Sequence, residues 1–557
     1  MNIETRVLSS MEKVYPDQAP NPCVVPFTCL QGEAFAFQVA LQPDAVRAHS
    51  FNRIAVQITA ECELPIAVKQ VGYVPCMLPS VVDDGRYERM TPGLFPDPLK
   101  TADEEGVFYA PTARWSSFFV EVFPGQAPAG DYPITITLNT KNPMANDAEQ
   151  KVTVRTSLTV VGAALPKSEL RYTCWFHGDC LADYYHVPVF SEEHWTIMEK
   201  QIKLAAERGQ NMMLTPLFTP PLDTKVGGER TTIQLMGVTL ENGVYSFDFT
   251  LLDRWIEMCQ KLGIEYFEFA HLFTQWGAKA CPKIMATVDG TYQRIFGWEN
   301  EALSDEYKAF LSAMLPALTA YIDAKGLHDK VYFHISDEPH GEEHLAQYLK
   351  LKEFVAPLLE GFIIMDALSD YNFYKQGVCE YPVVATTALD PFLEGPRPEE
   401  FWVYYCVGQG YRNVSNRFFS MAGYRTRILG LQCYKEDVFG FLQWGLNFYN
   451  SACSIRHIDP YRETDADCAF PGGDPFIIYP GTNGEPVESQ RLVIFHEAIQ
   501  DIQALRLLES LTSREHVLAL MDEDASEPVT FYTYPTGEEY QLRLRYKVNM
   551  EIAKLTK

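Results

Sequence analysis

The chain has 557 residues, with 46 Lys+Arg against 73 Asp+Glu and a formal net charge of −27. That balance excludes a nucleic-acid binder working by phosphate neutralisation and argues against adhesion to an anionic membrane. With 47% hydrophobic, 13% aromatic and 21% charged residues, the composition is that of a folded chain of several domains.

Thirteen cysteines lie between Cys23 and Cys468, none in a C-x-x-C pair, so no zinc ribbon or thioredoxin-type site is expected. They read as free thiols of a reducing compartment. No basic stretch followed by an apolar core opens the sequence, and no run nears the ~18 apolar residues of a membrane span. The expectation is a cytoplasmic protein with neither nucleic-acid nor membrane partners; monomer or homo-oligomer is left open.

Residues 1–165 read as an N-terminal β-sandwich. Phe35, Phe37 and Val39 alternate onto one face, and 114–123, 132–138 and 152–161 follow the same pattern. Turn clusters such as Pro124-Gly125 and Ala129-Gly130-Asp131 separate them, and 162–167 is the exit linker.

From 166 to 510 strands alternate with helices. Strands are predicted at 171–176, 211–215, 266–270, 331–335, 363–366, 383–386, 402–405 and 441–444. Helices are predicted at 191–208, 251–262, 304–325 and 342–354, the first and third opening on Ser with acids behind it. Eight strands with interleaved helices predict a (β/α)8 barrel with insertions. A doubly wound open sheet is the alternative, but no G-x-G-x-x-G or P-loop supports one, and no cofactor is expected. A hairpin about Glu241-Asn242-Gly243 is predicted as an insertion after barrel strand two. Residues 511–557 read as a helical C-terminal extension packed on the barrel. The fold class is thus multi-domain α/β + β.

The sharpest local feature is residues 331–339, VYFHISDEP. An apolar strand, the fourth of the barrel by this count, runs into Asp337 and Glu338 and is stopped by Pro339. A polar strand end with a helix cap is the plain structural account. Glycosidases that attack with their own carboxylate, or with water, hold two carboxyls ~5–9.5 Å apart on opposite sides of the bond. Neighbours on one strand end suit substrate-assisted hydrolysis instead. One carboxyl protonates the leaving oxygen, and the other steadies the substrate's own 2-acetamido group as it attacks the anomeric carbon. Like-charge proximity and partial burial keep a proton on the acid.

A set of short motifs in this order resembles glycoside hydrolase family 123 and the wider bacterial domain family around it. They are residues 32–38 (GEAFAFQ), 92–99 (PGLFPDPL), 129–132 (AGDY), 336–339 (SDEP), 404–406 (YYC), 416–418 (NRF), 440–444 (GFLQW) and 473–481 (GDPFIIYPG). Val403, Val407 and Gln409 depart from the Trp, Cys and Pro expected there. The resemblance implies a β-N-acetylgalactosaminidase that removes terminal, non-reducing β-linked N-acetylgalactosamine from a small oligosaccharide or glycoside with retention. It places Asp337 as the stabiliser of the acetamido group and Glu338 as general acid/base.

Other residues receive expected substrate roles. Tyr404 and Tyr405 alternate on the seventh strand, so one faces the barrel axis and the other packs outward. Trp444 ends the eighth strand and is placed as the platform for the sugar's apolar face. Asn416, Arg417 and Asp474 are candidates for ring-hydroxyl contacts, and His271 for lining the pocket. Three other readings remain: a β-N-acetylglucosaminidase; a zinc-dependent hydrolase at His340 and His344, which fit H-x-x-E-H but lack an evident third ligand; and a non-catalytic sugar-binding protein. No metal is expected.

Overall fold

Two five-stranded sheets occupy the first 164 residues of the computed structural model, which describes residues 2–44, 52–141, 149–275, 277–339 and 341–556. One sheet runs Ile3–Ser9, Phe35–Pro43, Ser116–Val122, Ile66–Cys76, Gly93–Lys100, and the other Phe27–Gln31, Gln150–Ala164, Gly130–Lys141, Arg53–Glu61, Val107–Pro111. The alternation read from the sequence sets the shared core. Phe37, Val39, Leu41, Phe118 and Val120 of the first sheet meet Ile54, Val56, Ile134, Ile136 and Leu138 of the second.

The eight strands of the second unit close into a parallel barrel. In chain order they are Arg171–Cys174, Met212–Thr215, Tyr266–Phe269, Val331–Phe333, Ile363–Ala367, Tyr381–Ala385, Trp402–Tyr404 and Gly440–Gln443. The last pairs with the first, Arg171 opposite Gly440 and Cys174 opposite Gln443, which removes the open-sheet alternative. Closure needs a glycine at 440, because a Cβ there would sit 2.3 Å from the Trp402 ring. The two predicted serine caps form. Ser191 accepts from His194 N ahead of Glu192–Glu207, and Ser304 from Tyr307 N ahead of Asp305–Ala324.

The predicted hairpin is Gly237–Glu241 with Val244–Asp248, turning at Asn242 (φ +49°) and Gly243 (φ +80°). A second hairpin, Ile284–Val288 with Thr291–Phe296, extends it to a four-stranded sheet. This hairpin is not among the predicted elements, although its Asp289-Gly290 turn carries the same positive-φ signal.

Past the barrel run helices Gln490–Leu511, Arg514–Glu523 and Glu539–Leu555. The tail bridges both units rather than packing on the barrel alone. Val548 and Ile552 share a core with Leu30, Val161 and Ala163 of the sheets and with Ile428 and Leu431 of the barrel helix Gly423–Lys435. Arg545 reinforces the junction by pairing with Glu33 and, at 2.8 Å, with Asp501. All thirteen cysteines are free thiols. Among the described residues no helix is long and apolar enough to cross a membrane.

Candidate active site

The fourth barrel strand has only three ladder residues, Val331–Phe333. Beyond it the backbone is held by Asp366 from the fifth strand. Its Oδ1 accepts from Ile335 N at 3.0 Å and Ser336 N at 3.2 Å, and the Ser336 hydroxyl donates to Thr274 O at 3.0 Å. Two residues later Glu338 sits at φ +45°, a left-handed conformation uncommon for glutamate. This pinned turn puts Asp337 and Glu338 side by side, half-buried, in one pocket at the C-terminal end of the barrel. The pocket encloses about 630 Å³ including its open mouth. Trp175, Leu442, Trp444 and Phe470 supply apolar walls, and Asp223, Gln275 and Tyr404 supply polar ones.

Burial and the charge of Glu338 push the Asp337 carboxyl well above the usual carboxylate range. Asp366 and Asp223 act in the same sense, and His334 opposes them. The proton is expected on Glu338, the acid; the upward push falls on Asp337.

Tyr404 faces the pocket. Its hydroxyl donates to Glu338 Oε1 at 2.6 Å, and burial with the Glu338 charge pushes it well above the usual tyrosine range, so it stays a donor. Tyr405 points away, packing edge-on against Phe441 at 4.8 Å between centroids. Trp444 lines the pocket, and Asp474 Oδ2 accepts from its indole N–H at 3.0 Å.

The remaining expected contacts turn out to be supports. Asp474 is fully buried behind Trp444, where desolvation pushes it up to about 7 against the pull of Arg417. Arg417 is buried too, its guanidinium donating to the carbonyls of Gly445 and, at 2.8 Å, Asp474. Asn416 donates to Cys406 O and Gln409 O, both at 2.9 Å, and so ties the loop after the seventh strand. None of the three lines the pocket. A polar residue in a loop motif reads as available to ligand, but Arg417 and Asn416 donate to buried backbone carbonyls, and the Asp474 carboxyl accepts from Trp444 and Gln443. The neighbouring sheets take part as well. Asp97 of Gly93–Lys100 accepts twice from Arg491 at 2.8 Å, and Arg491 donates to Gly473 O at 2.7 Å, fixing the loop that carries Asp474.

His271 lies below the pocket rather than in its wall, stacked on His334 at 4.4 Å and 22°. Burial and the neighbouring His334 hold it neutral, well below its usual range. His271, His334 and Asp366 bring possible ligand atoms within 4.8 Å of one another. Both nitrogens of His334 face carboxylates, so its ring is engaged in ion pairs rather than open to a metal. His344 of the zinc reading packs its ring against Gly277, where an added Cβ would approach it to 2.7 Å, and His340 lies outside the described residues.

Trp175, Asp223, Gln275, His334 and Phe470 were not anticipated as site residues. Trp175 directly follows the first barrel strand and was readable from strand-end logic. Asp223 was not. It belongs to an irregular loop with φ +38°, fixed by Cys453 N donating to its Oδ2 at 2.9 Å and Ser454 Oγ donating to its carbonyl at 2.8 Å, 230 and 231 residues downstream.

A closed parallel barrel with paired carboxyls, a tyrosine and aromatic walls at its C-terminal end defines a barrel glycosidase. The chain matches the family model "Glycoside hydrolase 123, catalytic domain" over residues 175–508 and belongs to that family. Among solved structures it is similar to a family 123 glycoside hydrolase from Clostridium perfringens, studied for glycolipid glycan hydrolysis. The TM-score is 0.75 at 15% identity, over 100% of both chains. Far weaker likenesses are an FMN-binding β-glucuronidase from Facaelibacterium prausnitzii L2-6 and a PapD-like domain of human CEP192. The first has TM-score 0.28 at 10% identity over 85% of each chain; the second has 0.15 at 14% identity over 29% of this chain and 87% of that one. Comparison with curated protein sequences gives no match.

Proposed function

We propose that this enzyme is a retaining β-N-acetylgalactosaminidase that works by substrate assistance. The observation that carries the reading is the placement of Asp337 and Glu338 as chain neighbours in one pocket with Tyr404 bonded to Glu338. In the first step the acetamido carbonyl oxygen bonds to the anomeric carbon as the glycosidic C–O bond breaks. Glu338 gives its proton to the leaving oxygen. Asp337 accepts the acetamido N–H and balances the positive charge that grows on the cyclised ring. In the second step water attacks the anomeric carbon, Glu338 takes its proton, and the acetamido group is released. Two displacements return the original anomeric configuration.

The resting proton on Asp337 moves to Glu338 when the acetamido N–H arrives, since a hydrogen bond to the carboxylate favours that form. Trp444 and Trp175 offer flat faces to the sugar ring. Asp223 is the rigid acceptor for ring hydroxyls. The similar Clostridium perfringens enzyme concerns glycolipid glycans, and a short glycan presented end-on fits a pocket of this size. Thirteen free thiols favour a cytoplasmic setting.

The test is hydrolysis of p-nitrophenyl β-N-acetylgalactosaminide and its gluco epimer, with and without an acetamido-derived thiazoline. Release from the galacto compound, blocked by the thiazoline, is expected. Preference for the gluco epimer would reassign the sugar, and thiazoline-insensitive release would remove substrate assistance.

A further inference from the structure

Beneath the paired carboxyls lies a second set of titratable groups that the reaction scheme does not use. His334 directly follows the fourth barrel strand, three residues before Asp337, and is fully buried. Its Nε2 stands 3.0 Å from Glu268 Oε2 of the third strand and its Nδ1 3.4 Å from Asp366 Oδ1 of the fifth. Both carboxylates are fully buried and have further partners. Glu268 accepts from the Thr173 hydroxyl and from the Trp175 indole at 3.2 Å. Asp366 accepts from Tyr348 Oη at 2.5 Å, from the helix Gly341–Val355, and from the two backbone amides that set the acidic turn. His271 covers one ring face.

We propose that His334, clamped between Glu268 and Asp366, is the positioning group that makes ionisation of Asp337 attainable when substrate binds. Its fixed positive charge opposes the upward push on Asp337, so that the arriving acetamido N–H can complete the shift of the proton to Glu338, where the leaving group needs it. This inference rests on the reaction proposed above. Two observations support it besides the distances. Burial alone would discharge His334, but the hydrogen bond to Glu268 and the nearby Asp366 carboxylate outweigh it and hold the imidazole at about 9. Of the charged groups acting on Asp337, Glu338, Asp366 and Asp223 all disfavour its ionisation, and His334 is the cation that favours it. The neutral His271 adds no competing charge. The clamp serves a second end through Asp366, which fixes the cation and the Ile335–Ser336 backbone together. The charge is therefore held at a set place relative to Asp337.

The experiment has two readouts. In the wild-type protein labelled with ¹⁵N-histidine, and with the resonance assigned by its loss in His334→Gln or His334→Asn, both His334 nitrogens should remain protonated at pH 7.5. A neutral imidazole there overturns the proposal whatever the enzyme's substrate. In kcat/KM against pH on the p-nitrophenyl galactosaminide, His334→Gln should move the acid limb up by about one pH unit or more, because Asp337 loses its cation. His334→Asn should do the same if the glutamine variant fails to fold. A uniform loss of rate with the limb unmoved makes His334 a strut and overturns the inference. Failure of the wild-type enzyme on this glycoside would sink the reaction reading, while the nitrogen spectra would still decide the state of the clamp.

Discussion

The Tyr404 hydroxyl donates to Glu338 Oε1 at 2.6 Å, joining the end of the seventh barrel strand to the turn after the fourth. Glu338 holds a left-handed backbone and takes its orientation in part from this bond. Tyr404→Phe removes the donor and keeps the ring. A hydrogen bond to a charged group contributes roughly 1.5–3 kcal/mol, so kcat/KM should fall by about 10- to 100-fold with the melting temperature little changed. An unchanged kcat/KM would show that the bond orients nothing of consequence.

Glu338→Gln and Asp337→Asn should separate the two carboxyls by leaving group. General acid catalysis contributes ~10²–10⁴-fold, and a good leaving group needs little of it. The glutamine variant should therefore lose orders of magnitude on alkyl glycosides and much less on p-nitrophenyl ones. The asparagine variant should lose activity on both, since attack by the acetamido group is part of the step in which either leaving group departs. Matching profiles for the two variants would mean that the roles are not divided as proposed.

Asp474 gives a pH test of the support behind Trp444. Its carboxyl is pushed up to about 7 by burial, against about 3.9 in an unfolded chain. Between these values the folded protein binds the proton more tightly than the unfolded one. Asp474 therefore makes stability fall as pH rises from about 4 to 7. Asp474→Asn retains an oxygen acceptor for the Trp444 indole and removes the titration. Urea unfolding at pH 4.5, 5.5 and 7 should show a shallower decline in the variant than in the wild type. Equal slopes would place the proton elsewhere among the buried acids, such as Glu497, also pushed up to about 7.

The features legible in the sequence are those set by local rules. Alternation at Phe35, Phe37 and Val39 gave the sheet core, Ser191 and Ser304 the helix starts, and an apolar strand running into Asp337-Glu338-Pro339 the acidic turn. Period-two geometry limited the pocket to one of Tyr404 and Tyr405 without naming which. What sequence could not supply was pairing over long separations. Arg417 and Asp474, 57 positions apart, look like ligand contacts until the chain between them is folded and one donates to the carbonyl of the other. His334 looks like one more strand residue until Glu268 and Asp366, from two other strands, flank it.

Asp223 is where long-range pairing bears most directly on specificity. Its Oδ2 is engaged by Cys453 N and its backbone is held by Gln275 and Ser454, so the side chain cannot swing away from the pocket it lines. Burial pushes its carboxyl up to about 6, so it is mostly ionised at pH 7.5 and able to accept from a sugar hydroxyl. Asp223→Asn keeps the shape but weakens acceptance, and a hydrogen bond to a charged acceptor corresponds to roughly 10- to 100-fold in kcat/KM. The discriminating comparison uses deoxy substrates. If Asp223 receives a ring hydroxyl, removing that hydroxyl should cost the wild type this factor and the variant almost nothing, because the partner is already impaired. Equal penalties for 4-deoxy and 6-deoxy glycosides in both proteins would leave Asp223 with a purely structural part in joining the two loops.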